Sequence, residues 1–409
     1  MARNRTTGID LARLALAAGV LSLAGLAQGQ TRYDFILVDS FNPGFGESYL
    51  WDINERNQAV GVATKFNTIG YPPIVWSESA GKEIITPGWP RAISDTGWVA
   101  GVSYVQNLVT GQVFTPPLLS GTYPILNFGG VNNAGVAVGM IQTCNCSNSG
   151  GVQQVPLIWD EVNGSRTINV PNAKGLKRVN NSNTAIGWLY GNASSEGFVV
   201  DLSTEQYTVL GDIFPAIGVG PTRANDINDA GQIVGTRNGN YPVYSYGYLY
   251  RPDSGFELLP FPGSGYQLAM TPFGINNLGV IVGEIYINGS SRAFVYTPAD
   301  GTRDLNDPTL VDGLPNGYVM MTAQKINDNG WIVGYGYGGG GGIYSAYVLR
   351  PRGSGCAADF NNDGFVNGDD YDTFAVLFDA GDTGADFNHD GFVNGNDYDA
   401  FAEAFDAGC

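Results

Sequence analysis

The sequence predicts a mainly β protein, a seven-bladed β-propeller followed by a small α-helical calcium-binding domain. Two observations lead to this prediction. A short hairpin motif recurs seven times at intervals of 38 to 51 residues, a period that is typical of propeller blades. An acidic twelve-residue loop occurs twice near the C terminus, each time followed by aromatic residues at helical spacing. Duplicated loops of this kind are typical of calcium sites.

Composition limits the classes of protein to which the chain can belong. Its 409 residues suggest two or three domains. The formal net charge is −18, and thirteen acidic residues but no basic ones lie between Cys356 and Cys409. Removing those thirteen charges from −18 leaves −5 on the much longer body. We therefore expect no nucleic-acid partner, since such proteins present a basic surface.

The N-terminal residues have the pattern of a secretory signal. Three arginines precede an apolar run over residues 14–26, and Ala27-Gln28-Gly29 has the small residues of a cleavage site. The alternative is an uncleaved anchor, but the run is short for a permanent membrane span. We expect residues 1–29 to be removed and the protein to be extracellular or at the cell surface, with no membrane span left.

Each hairpin motif has Ile or Val, then Asn or Ser, and a Gly or Asn four residues after the Ile or Val. The seven copies begin at Ile53, Ile93, Val131, Val179, Ile227, Ile275 and Ile326. The Asn side chain is expected to fold back onto its own turn. The Gly, replaced by Asn57 in the first copy and Asn183 in the fourth, supplies the left-handed residue of a tight hairpin.

Further strands follow most hairpins. Third strands are predicted at 73–76, 156–159, 247–250, 293–296 and 346–349, and fourth strands at 82–85, 166–169, 256–259 and 301–305. The last copy lacks a fourth strand, so the isolated segment 33–38 is predicted to complete it and close the ring. A β-solenoid is the competing architecture, although its repeats are usually shorter and it would not need that segment.

The repeated unit resembles the HAF repeat of bacterial extracellular proteins. The resemblance covers residues 50–350 and implies little about function. We assign residues 30–351 to the propeller. Residues 352–355 form a linker, because Pro and Gly interrupt the pattern there.

The acidic loops carry oxygen ligands at positions 1, 3, 5, 9 and 12, with glycine at position 6. The predicted ligands are Asp359, Asn361, Asp363, Phe365, Asn367 and Asp370 in the first loop, and Asp386, Asn388, Asp390, Phe392, Asn394 and Asp397 in the second. The two phenylalanines, at position 7, contribute only their backbone carbonyls. We expect two Ca²⁺ ions.

Each loop leads into a predicted helix with an aromatic face. The faces consist of Tyr371, Phe374, Ala375 and Phe378, and of Tyr398, Phe401, Ala402 and Phe405. A duplicated loop with only an exiting helix resembles the dockerin module, and Gly355-Cys356 with Gly408-Cys409 resembles its GC type. The resemblance covers residues 356–409 and implies the same calcium ligands and a cohesin-like or cell-surface partner. Positions 10–11 depart from the usual Ser/Thr of cohesin-binding dockerins.

The four cysteines are candidates for disulfides in a secreted protein. Cys356 and Cys409 bracket the tail and would join its ends, whereas Cys144 and Cys146 could form only a strained small ring or stay free. Three connectivities are possible, and the sequence does not choose among them.

A search for catalytic residues finds few candidates. The one histidine, His389, lies in a calcium loop, so His-dependent triads are excluded. Paired carboxylates could still hydrolyse glycosides. If the first strand of each repeat is innermost, the residues just before the motifs lie near the channel, namely Asp52, Ala92, Gly130, Arg178, Asp226, Gly274 and Lys325. They form either a channel site, with Glu284 nearby, or solvated charges that balance one another. We favour the second interpretation.

The sequence therefore favours a secreted, noncatalytic recognition or scaffold propeller with a calcium-dependent attachment domain. The alternative is a polysaccharide-degrading enzyme placed in an extracellular assembly by its tail. A glycan is a possible propeller ligand: Tyr241, Tyr244, Tyr246 and Tyr248 could stack on sugars, although alternating tyrosines are equally an ordinary strand.

Overall fold

The protein is described by a computed structural model. The described residues are 31–42, 46–65, 70–85, 88–116, 125–144, 152–190, 195–210, 221–238, 243–263, 268–338, 343–352, 358–361, 366–388 and 392–407. They form two compact units, one within residues 31–352 and one within residues 358–407. The predicted signal peptide, residues 1–29, lies outside the described residues.

The larger unit is built almost entirely of β-strands. It begins with β1 (Arg32–Val38). The next strands are β2 (Ser48–Ile53), β3 (Ala59–Ala63), β4 (Pro73–Ser77), β5 (Gly81–Ile84), β6 (Pro90–Ile93), β7 (Trp98–Gly101), β8 (Tyr104–Asn107), β9 (Val113–Phe114), β10 (Ile125–Val131), β11 (Ala137–Cys144), β12 (Val152–Asp160) and β13 (Gly164–Arg166). The remaining strands are β14 (Ala173–Val179), β15 (Thr184–Tyr190), β16 (Ser195–Asp201), β17 (Tyr207–Val209), β18 (Thr222–Ile227), β19 (Ile233–Asn238), β20 (Val243–Arg251), β21 (Gly255–Leu258), β22 (Leu268–Ile275), β23 (Ile281–Ile287), β24 (Ser290–Thr297), β25 (Gly301–Asp304), β26 (Val311–Asp312), β27 (Val319–Ile326), β28 (Ile332–Gly338) and β29 (Ile343–Arg352).

These strands form seven antiparallel units, and we number the units in chain order. Units 1 to 6 each contain four consecutive strands, starting at β2, β6, β10, β14, β18 and β22. Units 5 and 6 are joined into one sheet by a short parallel pairing of β20 with β22. Unit 7 contains β27, β28 and β29.

The N-terminal strand completes unit 7. β1 pairs antiparallel with β29 from Arg32 opposite Arg352 to Val38 opposite Ala346. The sequence predicted this closure by residues 33–38, and it is confirmed. The short β26 adds a fifth strand parallel to β1. The pairing links the start of the larger unit to its end, so that β1 leaves no open edge on β29.

The predicted outer strands are found at nearly the expected places. In unit 3 the fourth strand is β13, which ends at Arg166 and lies N-terminal to the predicted 166–169. The physical reason is a tighter turn: Asp160 Oδ1 accepts hydrogen bonds from the backbone N–H of Val162 (3.1 Å) and Asn163 (2.7 Å). Units 2 and 4 also have outer strands, for which the sequence had given no prediction.

The hydrophobic core of the larger unit is divided among the interfaces between neighbouring units. For example, Leu50 and Trp76 of unit 1 cluster with Trp331 and Val348 of unit 7. Similar clusters of buried residues join units 1 and 2, 2 and 3, 3 and 4, 4 and 5, 5 and 6, and 6 and 7. Each unit therefore buries its apolar faces only when it has a neighbour on both sides.

The smaller unit contains α1 (Gly368–Asp379), a 3₁₀ turn (Thr383–Ala385) and α2 (Gly395–Ala407). The predicted aromatic faces pack on each other, with the rings of Phe374 and Phe401 stacked at 4.2 Å between centroids. Both phenylalanines are fully buried. α1 begins with a capping box in which Asn367 and Asp370 satisfy each other's backbone N–H groups.

Candidate functional site

Each hairpin is held by the side chain of the residue that follows its Ile or Val. In unit 1, Asn54 Oδ1 accepts hydrogen bonds from the backbone N–H of Arg56 (3.1 Å) and Gln58 (2.9 Å). The left-handed residues Asn57 and Asn183 have φ angles of 56° and 59°. The sequence predicted both the fold-back and the left-handed residue, and both are confirmed.

The six asparagines among these side chains also bind the neighbouring unit, which the sequence did not reveal. Asn54 Nδ2 donates to the backbone oxygen of Ser94 at 3.0 Å, and Asn327 of unit 7 donates to that of Asn54 at 2.9 Å. Equivalent hydrogen bonds of 3.0 or 3.1 Å run from Asn132 to Asn180, Asn180 to Asn228, Asn228 to Asn276 and Asn276 to Asn327. These hydrogen bonds join unit 7 back to unit 1.

A second ring lies one residue further along each hairpin. Its members are Glu55, Asp95, Asn133, Asn181, Asp229, Asn277 and Asp328. Each side chain accepts a hydrogen bond of 2.7–3.0 Å from the backbone N–H of the member in the preceding unit. The ring closes where the Glu55 carboxylate accepts the N–H of Asp328. We call the two rings together the hairpin belt.

The first strand of every unit has a β-bulge at the same position, two residues before the Ile or Val of the motif. The bulged residues are Trp51, Arg91, Gly129, Lys177, Asn225, Phe273 and Gln324. A bulge places two residues of one strand opposite one residue of its partner and redirects the side chains. The repeat therefore sets the side-chain directions at the centre of the larger unit, where the first strands of the seven units meet, as well as the conformation of the hairpins.

Charged residues from four units meet at this centre. Arg178 Nη1 lies 3.3 Å from Asp52 Oδ2, and Arg178 Nε lies 3.8 Å from Asp226 Oδ1. Lys325 Nζ donates to Asp226 Oδ2. Arg178 Nη1 also donates to the backbone oxygen of Gly129 at 2.7 Å. We call Asp52, Arg178, Asp226 and Lys325 the channel cluster.

Both carboxylates of the channel cluster are buried. Asp226 is 1% exposed and Asp52 is 5% exposed. Each also accepts a backbone N–H from the motif Ile of the next unit, at 2.9 and 3.0 Å. Burial raises the pKa of Asp52, whereas the charges of Arg178 and Lys325 act in the opposite direction. The interpretation of these residues as solvated charges is therefore wrong, although the charges do balance one another.

A cavity of about 330 Å³ has the channel cluster and most of the hairpin belt in its lining, with residues from all seven units. Of the seven residues predicted to lie near a channel, six line this cavity, and for the seventh, Gly274, the next residue does so. The cluster's carboxylates are less exposed than the side chains of Arg178 and Lys325, which are 16% and 18% exposed. The cavity is thus polar, and the charges of the channel cluster in its lining are already paired.

Glu284 lies apart from the residues that line the cavity. It stands on β23 opposite Thr271 and Ala293, and its carboxylate accepts a hydrogen bond from the hydroxyl of Ser291. Burial raises its pKa, and that hydrogen bond acts in the opposite direction. Glu284 and Asp226 therefore do not form a carboxylate pair around one cavity.

The tyrosines considered as a sugar platform do not share one surface. Tyr248 is fully buried, and its hydroxyl donates to the backbone oxygen of Arg223 at 3.0 Å. Tyr246 is half-buried and Tyr244 is 48% exposed. Tyr241 lies outside the described residues. The ordinary-strand interpretation is correct for Tyr248, which belongs to the core.

The two acidic loops fold in the same way where the structure describes them. The carboxylate of Asp370 accepts the backbone N–H groups of Asn361 (3.0 Å) and Asn367 (2.9 Å). The equivalent distances from Asp397 to Asn388 and Asn394 are 3.1 and 2.8 Å. In both loops the carboxylate at position 12 is thus hydrogen-bonded to the backbone of positions 3 and 9.

The donor set of these loops fits a calcium ion. Asp359, Asp370 and Asp397 are 3%, 0% and 0% exposed, and oxygen ligands on a tightly turned loop are what Ca²⁺ prefers. The pKa of Asp397 is lowered, and the largest contribution comes from the hydrogen bond that its carboxylate accepts from the backbone N–H of Asn394. Asn367 Oδ1 also caps α1 by accepting the N–H of Asp369 at 2.8 Å.

Several predicted tail residues cannot be placed. Asp363, Phe365, Asp390 and His389 lie outside the described residues, as do Cys146, Cys356 and Cys409. Within the described ranges, no group of three or more His, Cys, Asp or Glu side chains is arranged to hold a metal. Among the same residues, no helix has the length and apolarity needed to cross a membrane.

The similarities to known proteins concern the fold. No family model and no curated protein matches the chain. Solved structures that resemble it include streptogramin B lyase, at 12% identity and TM-score 0.49 over 78% of this chain and 98% of that one. Another is the Dos1 propeller, at 9% identity and TM-score 0.40 over 78% and 95%. The β-propeller domain of the Trilobed protease from Pyrococcus furiosus matches at 11% and 0.34 over 64% and 98%. These structural neighbours are β-propeller proteins.

Proposed function

We propose that the seven units are the blades of one seven-bladed β-propeller spanning residues 30–351. We further propose that it serves as a secreted, noncatalytic recognition or scaffold domain, which the dockerin-like tail, residues 356–409, attaches to a cohesin-like or cell-surface partner. The continuous hairpin belt supports the blade count, because its hydrogen bonds pass through all seven units and return to the first. The paired state of the channel cluster supports the absence of catalysis.

The channel cluster is the observation that favours binding over catalysis. A glycosidase needs one carboxylic acid and one carboxylate on opposite sides of the scissile bond. Here both oxygens of Asp226 face cations, and Oδ2 also accepts a backbone N–H. Asp52 is likewise bound by Arg178 and a backbone N–H. These contacts support a structural role for both carboxylates, holding units together, over a role as proton donor or nucleophile.

Product analysis tests this proposal. The full chain is incubated with a panel of soluble polysaccharides, and released oligosaccharides are measured against time. We expect none to form. Turnover that is abolished by Asp226→Ala or Glu284→Ala would establish the polysaccharide-degrading enzyme instead, and those two variants indicate which carboxylate acts.

The tail is proposed to hold two calcium ions. Asp359, Asn361, Asp363, Asn367 and Asp370 would bind the first. Asp386, Asn388, Asp390, Asn394 and Asp397 would bind the second, and the carbonyls of Phe365 and Phe392 would complete the sites. When bound, the ions neutralise carboxylates that have no basic residue between Cys356 and Cys409 to offset them. Metal binding then supplies folding free energy to a module that is too small to bury a large core.

Calorimetry of the full chain after treatment with a chelator tests the calcium sites. We expect two equivalents of Ca²⁺ to bind, one to be lost in Asp359→Ala and the other in Asp386→Ala. Asp372→Ala is the matched control, because this exposed aspartate lies on α1 outside the loops. The proposal fails if millimolar calcium gives no binding heat or if Asp372→Ala behaves like the loop variants.

A further inference from the structure

A continuous aromatic surface lies at the ends of the strands opposite to the hairpin belt. We call it the aromatic platform. It consists of Tyr49, Trp51, Tyr71, Trp89, Tyr335, Tyr337 and Tyr344. These residues come from units 7, 1 and 2, or from the segments that flank their strands. They are distant in sequence and meet only because β27–β29 pack beside β2.

The rings are in mutual contact across the whole platform. Tyr49 lies at its centre, with ring centroids 5.0 Å from Tyr335 and 6.2 Å from Tyr344. On the other side, Trp51 is stacked on Trp89 at 6.0 Å with 24° between the ring planes. Tyr337 extends the surface from Tyr344, while Tyr71 joins Tyr49 to Trp89.

The platform is not part of the buried core. Trp89 is 42% exposed and Tyr337 is 46% exposed, and the other five rings are partly buried. None of the seven belongs to the hydrophobic clusters between units. Scattered exposed aromatic residues need no explanation, but a contiguous exposed patch of them marks an interaction surface.

Polar groups border the aromatic faces. The carboxylate of Glu47 accepts hydrogen bonds from the hydroxyls of Tyr49 (3.1 Å) and Tyr71 (2.7 Å). The guanidinium of Arg91 lies over the rings of Trp51 and Trp89, at 4.8 and 5.7 Å from their centroids. The surface therefore offers ring faces together with fixed hydrogen-bond donors and acceptors.

We propose that the aromatic platform binds a neutral polysaccharide chain. A sugar ring presents C–H groups on its faces and hydroxyls on its edge, which matches ring faces bordered by a carboxylate, a guanidinium and tyrosine hydroxyls. Nucleic-acid bases also stack on aromatic rings, but the body that carries the platform keeps a charge of −5 without the tail, and the platform itself carries the Glu47 carboxylate, both of which oppose a polyanion. The same charges oppose an acidic polysaccharide. This assignment rests on the proposed recognition role and gives it a ligand class and a site.

Affinity electrophoresis of the full chain tests the proposal. The probes are xyloglucan, galactomannan and hydroxyethylcellulose, with polygalacturonate and single-stranded DNA as polyanions. We expect at least one neutral polymer to retard the protein and neither polyanion to do so. Failure of all three neutral polymers at millimolar sugar concentration, or equal retardation by a polyanion, would overturn the proposal.

Variants locate the binding site. Trp89→Ala should weaken binding to the retarding polymer about tenfold or more, which is the scale of losing one stacking ring, and Trp89→Phe should keep most of it. Tyr190→Ala is the control, since Tyr190 is 69% exposed and lies outside the platform. If Trp89→Ala lowers the melting temperature, Tyr337→Ala repeats the test at a second exposed ring. Binding that is unchanged in both variants would contradict the site.

The same samples separate this proposal from the proposed function. Oligosaccharide products released from a polymer that binds would contradict the noncatalytic role and leave the platform in place. Conversely, retardation by none of the neutral polymers would remove the platform's ligand and leave the calcium-dependent tail and the noncatalytic propeller untouched. The two failures are thus distinguishable in one set of experiments.

Discussion

The hairpin belt and the aromatic platform lie at opposite ends of the same strands and use their side chains in opposite ways. At the belt, each Asn, Asp or Glu is hydrogen-bonded to the neighbouring unit, as Glu55 is to Asp328. At the platform, rings such as Trp89 contact one another and remain partly exposed to solvent. Polar groups that are satisfied within the protein stabilise the fold, whereas exposed ring faces are available to a ligand.

This comparison makes a general prediction about substitutions. Variants that remove a hydrogen bond or an ion pair at the belt or the channel cluster should lower the free energy of unfolding and leave ligand binding intact. Variants at the platform should lower binding and leave the free energy of unfolding nearly unchanged. In every belt or channel variant, binding to the polysaccharide that retards the wild-type protein is measured beside stability and should not change.

The largest loss is expected for Asp226→Ala. The variant leaves the partly buried Lys325 without its carboxylate and Arg178 with Asp52 alone, and breaking a buried pair from one side costs about 3–5 kcal/mol. Denaturant unfolding of the full chain measures the change. The double variant Asp226→Ala/Lys325→Met should lose less than the single one, because it removes the uncompensated cation. A loss below about 1 kcal/mol in the single variant would contradict the buried network.

A moderate loss is expected for Asn327→Ala, which removes the hydrogen bond that joins unit 7 to unit 1. The backbone N–H of Trp331 and the backbone oxygen of Asn54 both lose a partner, at a cost of about 1–3 kcal/mol. Asn327→Ser is the matched control, because Ser94 in unit 2 accepts the turn N–H with its hydroxyl. Asn327→Ser should lie between the wild type and Asn327→Ala. A free energy of unfolding for Asn327→Ser equal to that of the wild type would show that the cross-unit bond contributes nothing.

The smallest effect is a pH dependence at Glu55. Burial raises the pKa of its carboxyl from 4.5 to about 7, and the nearby Asp328 and Asp95 act in the same direction. The folded state therefore binds the proton more tightly than the unfolded state. Consequently, this group's contribution to stability is greatest below about pH 4.5 and declines as the pH rises to about 7.

The variant Glu55→Gln should remove that decline while its amide oxygen still accepts the N–H of Asp328. Melting temperatures of wild type and variant, measured from pH 4.5 to 8 with excess calcium, should converge at the acidic end and favour the variant above pH 7. The exposed Glu161→Gln is the control and should track the wild type. Parallel curves for wild type and Glu55→Gln would refute the assigned titration.

The parts of the fold that could be predicted are those that depend on neighbours in sequence. The Asn54 hairpin, with Asn57 left-handed, is encoded within five residues, and the helices α1 and α2 follow from aromatic spacing. The closing strand β1 was predicted because unit 7 had three strands where four were needed. The end of β13 was misplaced, because Asp160 makes a turn whose tightness depends on side-chain hydrogen bonds.

The sequence by itself determined the repeat, its turn chemistry and the composition of the two acidic loops, because each is a pattern over a few adjacent residues. The closing strand followed from counting the strands of each repeat. Only the tertiary structure decided which distant residues meet. Arg178 reaches Asp52 across 126 positions, and Asn327 reaches Asn54 across 273. Tyr49 packs against Tyr335 in the same way. Periodicity specifies the face of a strand that a side chain occupies, but the partners on that face are set by how seven units pack around one centre.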